Sequence, residues 1–276
     1  MKVTQAILPV AGLGTRFLPW TKVVPKELLP IGNKPIIGLL VDECLSVGID
    51  DICFVISRGK EAIPQYFYEM PELEAELDSR GKLHMLEDLK RYDNVKFHVV
   101  YQQEMKGDGH ALLHAADWIK SDMVAVLFGD DLIHGKQNGL QQLVAAYDHL
   151  PEGEKPAMLC LQDVPREAVS KYGIVDIDFD HPQHHERLKK IKGMVEKPKP
   201  EHAPSTFGIV GKYIIPRNLF RILQTLEKGS HGGEVRLIDA LIAELGTMHV
   251  YGYVFEGHRL DTGTPEGYKE AVQVLG

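Results

Sequence analysis

An α/β fold is what the sequence predicts, with a mixed, mostly parallel central sheet, helices on both of its faces and a smaller β-rich part. Short apolar runs alternate with stretches of helical periodicity through the first half of the chain, the pattern of repeated βαβ units. After Ala157 the apolar runs become shorter and more closely spaced, which suits antiparallel or mixed pairing. Hydrophobic residues make up 44% of the 276 positions and no repeat or low-complexity tract interrupts them, so one large domain or two small ones can be buried.

Ala6 to Val10 reads as the first strand, Pro35 to Val47 as a helix, Ile52 to Ile56 as a strand and Glu61 to Tyr68 as a second helix. The charged stretch PELEAELDSRGKLHMLEDLKRY carries leucines at helical spacing and reads as a helical excursion from the sheet. KFHVVY follows as a strand, GHALLHAADWI as a helix, and MVAVLF as a strand that runs into Gly129, Asp130 and Asp131. AMLCLQDV, GIVDID, IKGMVE and TFGIVGKYII are the strands of the second part. A helix around Glu234 to Leu245, the strand HVYGYVF and a final helix from Pro265 close it. Ligands of open α/β sheets bind beyond the carboxyl ends of strands, so those ends are where chemistry is to be sought.

The net charge of −8 argues against a surface built to coat nucleic acid, and a polyanionic ligand would need a local cluster of cations or a metal. Cys44, Cys53 and Cys160 lie far apart in apolar surroundings, as buried reduced thiols do, with neither disulfide nor zinc spacing. The N-terminal MKVTQAILPVAG has too short an apolar run for a signal peptide. No stretch approaches the roughly 18 apolar residues of a membrane span, and the expectation is a soluble cytoplasmic protein. HPQHHE, from His181 to Glu186, reads as a solvated loop, because no Cys or Glu-x-x-His spacing accompanies it.

ILPVAGLGTRFLPWTKVVPKELLP, from Ile7 to Pro30, places cations on a loop straight after the first strand. Gly12-Leu13-Gly14 suggests the dinucleotide fingerprint, but its third glycine is replaced by Phe17, and a Walker loop is absent as well. What remains is a turn through Ala11, Gly12, Gly14 and Thr15 whose backbone N–H groups can point at an anion, followed by Arg16 and Lys26. Glycine permits close approach, Arg16 offers a planar fork of donors and Lys26 a compact charge, which together describe a triphosphate clamp. Solvated surface cations are the simpler alternative, and the partners decide.

Asp130 and Asp131 leave a strand end where a carboxylate can hold Mg²⁺ against phosphate oxygens; adjacent side chains diverge in extended backbone, so Asp130 alone is expected to ligate. Asp261 in RLDTGTPEGY stands in a similar position, with a helix cap as its alternative role. In VEKPKP, Glu196 and Lys197 point to opposite sides unless the chain bends; a bend would let Glu196 take sugar hydroxyls while Lys197 meets a phosphate. In YQQEMKGDGHA, the Gln102 amide can pair with a base edge and the backbone at Gly109 can pack against a ring.

These segments together resemble the sugar-phosphate nucleotidyltransferases, and within them the bacterial enzymes that join UTP to glucose 1-phosphate. The likeness runs nearly end to end, through PVAGLGTRFLPWTKVVPKELLP, KGDGHALLHA, KYGIVD, VEKPK and APSTFGIVGKY. It implies a Rossmann-like, GT-A-like single domain over 1–276, with a nucleotide-binding part to about 150 and a sugar-phosphate-binding part from about 151. It implies uridylyl transfer that yields UDP-glucose and pyrophosphate, with Mg²⁺ as cofactor and homo-oligomeric assembly. Transfer from dTTP and non-catalytic binding of a nucleotide sugar are the alternatives. Residue by residue, Ala11, Gly12, Gln102 and Gly109 match base contacts, and Gly14 and Thr15 belong to the same nucleotide loop. Arg16 and Lys26 match the residues that hold the triphosphate. Asp130 and Asp261 match metal ligands, while Asp131, Gly173, Glu196 and Lys197 fall at positions near the sugar and its phosphate. No appended β-helix module is expected.

Overall fold

The computed structural model describes residues 3–150, 153, 155–180, 186–230 and 233–276. The His181–Glu186 cluster lies, apart from Glu186, outside the described residues.

In chain order the first part contains β1 (Gln5–Pro9), β2 (Pro30–Ile31), β3 (Lys34–Pro35), α1 (Ile36–Leu45), β4 (Asp51–Ile56), α2 (Ala62–Gln65), α3 (Pro71–Ser79) and α4 (Leu83–Leu89). It continues with β5 (Lys96–Tyr101), α5 (Asp108–Leu113), β6 (Met123–Leu127), β7 (Asp131–His134) and α6 (Gly139–Asp148). The second part has β8 (Ala157–Asp163), β9 (Gly173–Asp178), β10 (Leu188–Glu196), β11 (Phe207–Pro216), α7 (Leu219–Gly229) and α8 (Leu237–Glu244). It ends with β12 (Val250–Val254), β13 (His258–Asp261) and α9 (Pro265–Leu275).

Nine strands form one sheet in the order β5-β4-β1-β6-β11-β8-β12-β10-β9. Pairing is parallel from β5 to β6, where crossover helices connect the strands. Beyond β6 the sheet is mixed: β8 and β12 run parallel, and the remaining neighbours are antiparallel. One further bridge, Gly208 to Ile174, brings β9 back against β11, so the far half curls on itself.

Period-two alternation explains why the sheet is covered twice. On β1, Ala6 and Leu8 join the core made with α1 and α6, including Ile37, Leu40, Leu140 and Leu143. Ile7 points the other way, into the core made with α5, α7 and α8, including Leu112, Phe220, Leu223 and Leu241. The three cysteines are buried and unpaired, and burial pushes the Cys53 thiol up to about 12, as expected of inert core residues.

The charged excursion divides into α3 and α4 at Gly81, whose φ of 66° closes α3 with Gly81 N–H on Asp78 O and Lys82 N–H on Leu77 O. Neither helix contributes a buried residue. α6 begins with a reciprocal cap, the Asn138 side chain accepting from Gln141 N–H and the Gln141 side chain accepting from Asn138 N–H.

Candidate active site

The loop after β1 is fixed by its one buried acid. Glu27 is 1% exposed and lies 2.9 and 3.1 Å from Lys60 Nζ, which also donates to Val10 O at 2.7 Å. Burial works against both charges, lowering the Lys60 pKa and raising that of Glu27. Lys26, beside Glu27 in the same tight turn, meets Asp130 Oδ2 at 2.8 Å. Burial opposes these two charges as well, but their mutual attraction prevails. Lys26 is held above its ordinary range, and the Asp130 carboxyl below the usual carboxylate range.

Gly14 takes φ 65°, a left-handed conformation that a side chain would strain, and its carbonyl accepts from the Thr21 hydroxyl at 2.8 Å. Thr15 and Arg16 follow in a short 3₁₀ turn, and Arg16 reaches across to Gly263 O at 3.3 Å. Gly12 faces open space.

β7 and β13 form a two-stranded ribbon in which Asp131 stands directly opposite Asp261. Like charges in that position repel, and Arg259, two residues before Asp261, lies against both. Its Nε is 2.5 Å from Asp131 Oδ1, its Nη2 3.6 Å from Asp261 Oδ2, and Nη1 donates to the Tyr172 hydroxyl at 3.0 Å. Asp131 Oδ2 accepts from Gly211 N–H at 2.9 Å, so both of its oxygens are engaged. Asp130 and Asp131 thus diverge, toward Lys26 and toward Arg259.

Asp130 and Asp261 converge instead. A Cβ added at Gly263 would stand 2.8 Å from Asp130 Oδ2 and 3.0 Å from Asp261 Oδ1, so both carboxylates border one gap that only glycine leaves open. Two hard oxygen donors suit Mg²⁺. No group of three or more His, Cys, Asp or Glu that could hold a metal occurs among the described residues. Any further ligands would be phosphate oxygens or water.

The chain does bend after β10: Lys197 has φ 47°, the one non-glycine with positive φ among the described residues. It brings Lys197 Nζ to 3.4 Å from Glu196 Oε1, on the same side of the chain. Gly173 lies beneath them, where a Cβ would be 3.1 Å from Glu196 Oε2.

Two cavities meet at this place. One of about 320 Å³ is lined by Ala11, Gly12, Lys26, Gln102 and Gly107. Another of about 770 Å³ is lined by Arg16, Gly173, Glu196, Lys197, Arg259 and Asp261. Asp108, Phe128 and Asp130 line both, and so join them. Gly109 lines neither: its bare α-carbon packs against Val235 and Leu223, where a Cβ would come within 3.0 and 2.8 Å. Gly14 and Thr15 support the loop from outside the cavities. Sequence reasoning missed Glu27, Lys60, Tyr172 and Arg259. The one signal was an acid, Glu27, in an otherwise cationic loop.

The sequence profile of the nucleotidyl transferase family matches residues 5–275. A UTP–glucose-1-phosphate uridylyltransferase of Bacillus subtilis (strain 168) is 40% identical over 269 residues, covering 97% of this chain and 89% of the relative. One of Komagataeibacter xylinus is 39% identical over 262 residues, covering 94% of this chain and 89% of the relative. Among solved structures, the UTP-bound UGPase of Acinetobacter baumannii superposes with a TM-score of 0.88 at 32% identity, covering 99% of this chain and 93% of its own. A UDP-glucose pyrophosphorylase complexed with UDP-glucose superposes with a TM-score of 0.83 at 33% identity, covering 99% of this chain and 98% of its own. The family profile matches along almost the whole chain, relatives about 40% identical cover nearly all of it, and the chain belongs to the nucleotidyl transferase family.

Proposed function

We propose that the protein transfers a uridylyl group from UTP to glucose 1-phosphate, giving UDP-glucose and pyrophosphate by in-line attack on the α-phosphorus. The observation that carries this reading is the pair of cavities joined at Asp130, with cations on both sides of the junction. In this reading residues up to about 150 serve mainly the nucleotide, and those from about 151 the sugar phosphate.

The nucleophile needs no base. The second pKa of a sugar phosphate lies near ~6, so at neutral pH the attacking oxygen is already anionic. The obstacle is repulsion between that dianion and a polyanionic nucleotide. Lys26 and Arg16 neutralise the triphosphate from the β1 loop, and Lys197 neutralises the sugar phosphate from the opposite wall. Glu196 accepts hydrogen bonds from sugar hydroxyls, and Gly173 leaves room for the ring. Ala11, Gly12 and Gln102 receive the base. Asp131 is assigned to hold Arg259 rather than to touch the sugar, because both of its oxygens already have partners. Asp130 and Asp261 would hold Mg²⁺, which when bound neutralises phosphate charge and aligns the attacking and leaving oxygens. Lys26, paired with Asp130 at 2.8 Å, would hold that carboxylate at the junction of the two cavities and bring its own positive charge to the phosphates.

No helix among the described residues is long and apolar enough to cross a membrane, and a cytoplasmic location is part of the proposal. The test is a pyrophosphate-release assay that crosses UTP, dTTP, CTP and ATP with several sugar 1-phosphates. Turnover greatest with UTP and glucose 1-phosphate is expected; equal or greater turnover with another nucleotide would reject the assignment.

A further inference from the structure

Gln102 follows β5 with 4% of its surface exposed, at the wall of the smaller cavity. Its Nε2 lies 3.1 Å from Gly107 O and 3.1 Å from His110 Nδ1. A backbone carbonyl only accepts, so the amide nitrogen, not its oxygen, must face Gly107. The second amide hydrogen then goes to His110 Nδ1, which must be the unprotonated ring nitrogen. The ring proton sits on His110 Nε2, 3.4 Å from Glu227 Oε1 on α7. His114 packs edge-on against the same ring, with centroids 4.8 Å apart. Both hydrogens of the Gln102 amide are thereby used, and Oε1 remains the atom with no protein partner among the described residues.

We propose that His110 is a positioning residue. By accepting from the Gln102 amide it turns Gln102 Oε1 toward the nucleobase and so selects a base that carries N–H at ring position 3. The inference rests on the uridylyl-transfer reading and deepens it. Uracil has a hydrogen at that position, whereas cytosine has a lone pair there that a fixed carbonyl oxygen repels. A site built around such a pairing discriminates strongly against an analogue that cannot make it, since a buried polar group is left unmatched. Thymine shares the uracil imide, so this device separates UTP from CTP and not from dTTP.

The test compares dissociation constants of UTP and CTP by titration calorimetry for the wild type, His110→Leu, His110→Asn, Gln102→Met and the Gln102→Met/His110→Leu double variant, each with a thermal melt. His110→Leu removes the acceptor and is expected to reduce the preference for UTP over CTP by about tenfold or more. His110→Asn offers Oδ1 near the place of Nδ1 and is expected to keep most of the preference. The double variant is expected to match Gln102→Met, because His110 acts only through the amide. An unchanged preference in His110→Leu, or additive losses in the double variant, would overturn the inference while leaving uridylyl transfer intact. His110→Ala, which adds no bulk, makes the same comparison should the leucine variant fail to fold. A wild-type protein that binds neither nucleotide would overturn both readings.

Discussion

Lys26 and Glu27 are neighbours in the chain with separate partners: one ammonium–carboxylate pair forms with Asp130 at the cavity, and the other with Lys60 beneath it. Replacing Lys26 or Arg16 by alanine is expected to lower kcat by on the order of 10² or more, as loss of one preorganised charge-stabilising donor does; steady-state assays of both variants check this. Lys197 offers a sharper test, because its left-handed backbone costs a residue with a side chain roughly 1–2 kcal/mol. Lys197→Gly is therefore expected to gain stability of about that order in urea titration while raising KM for glucose 1-phosphate and sparing that for UTP. Arg16, Lys26, Asp130, Glu196 and Lys197 were legible in the sequence because charge at the end of an apolar strand stands out. Arg259 was not, since its partners Asp131 and Tyr172 lie 128 and 87 positions away and leave no local pattern.

Between elements, the most consequential contact joins α1, β11 and the start of α6. Lys212 is fully buried on β11, 2.7 Å from Glu43 on α1, whose other oxygen accepts from Leu140 N–H at 2.7 Å. Lys212→Met leaves that carboxylate buried without its counter-charge and is expected to cost ~3–5 kcal/mol in chemical denaturation; Glu43→Gln/Lys212→Met is expected to recover a large part of the loss. The lysine interrupts TFGIVGKYII in sequence, yet the strand forms, because one buried acid satisfies it. Strands and the helices α1 and α9 were visible from apolar periodicity and caps. α6 and α7 are amphipathic but carry no chemical motif, and the sequence reading passes over both. The helix expected over Glu61–Tyr68 shrinks to α2, and that over Glu234–Leu245 to α8. In the latter case Asp108 caps Leu237 N–H at 2.8 Å from another element, which no local reading reveals.

At the scale of the whole molecule, the active-site charges couple stability to pH. Asp130 has a folded pKa below its unfolded one, so its contribution is present above the ordinary carboxylate range near ~4 and is lost as pH falls through the lower folded value. Asp130→Asn is expected to flatten the acid limb of a stability-against-pH curve in that window and, in assays, to weaken the response to added Mg²⁺; an acid limb identical to wild type would show that the Lys26 pair contributes nothing to it. The overall α/β architecture was foreseeable from composition and alternation, but the return of β9 onto β11 was not, since a single backbone bridge has no signature in residue type. That return has a consequence for association. Ser205 Oγ donates to Val175 O at 2.6 Å beside the Gly208–Ile174 bridge, so among the described residues the start of β9 is bound within its own chain, whereas β5 has a strand partner on one side alone. A fibril grown by strand addition needs two free borders on each subunit. Here β5 supplies one such border while the other is obstructed at the start of β9, and joining β5 to β5 ends at a pair.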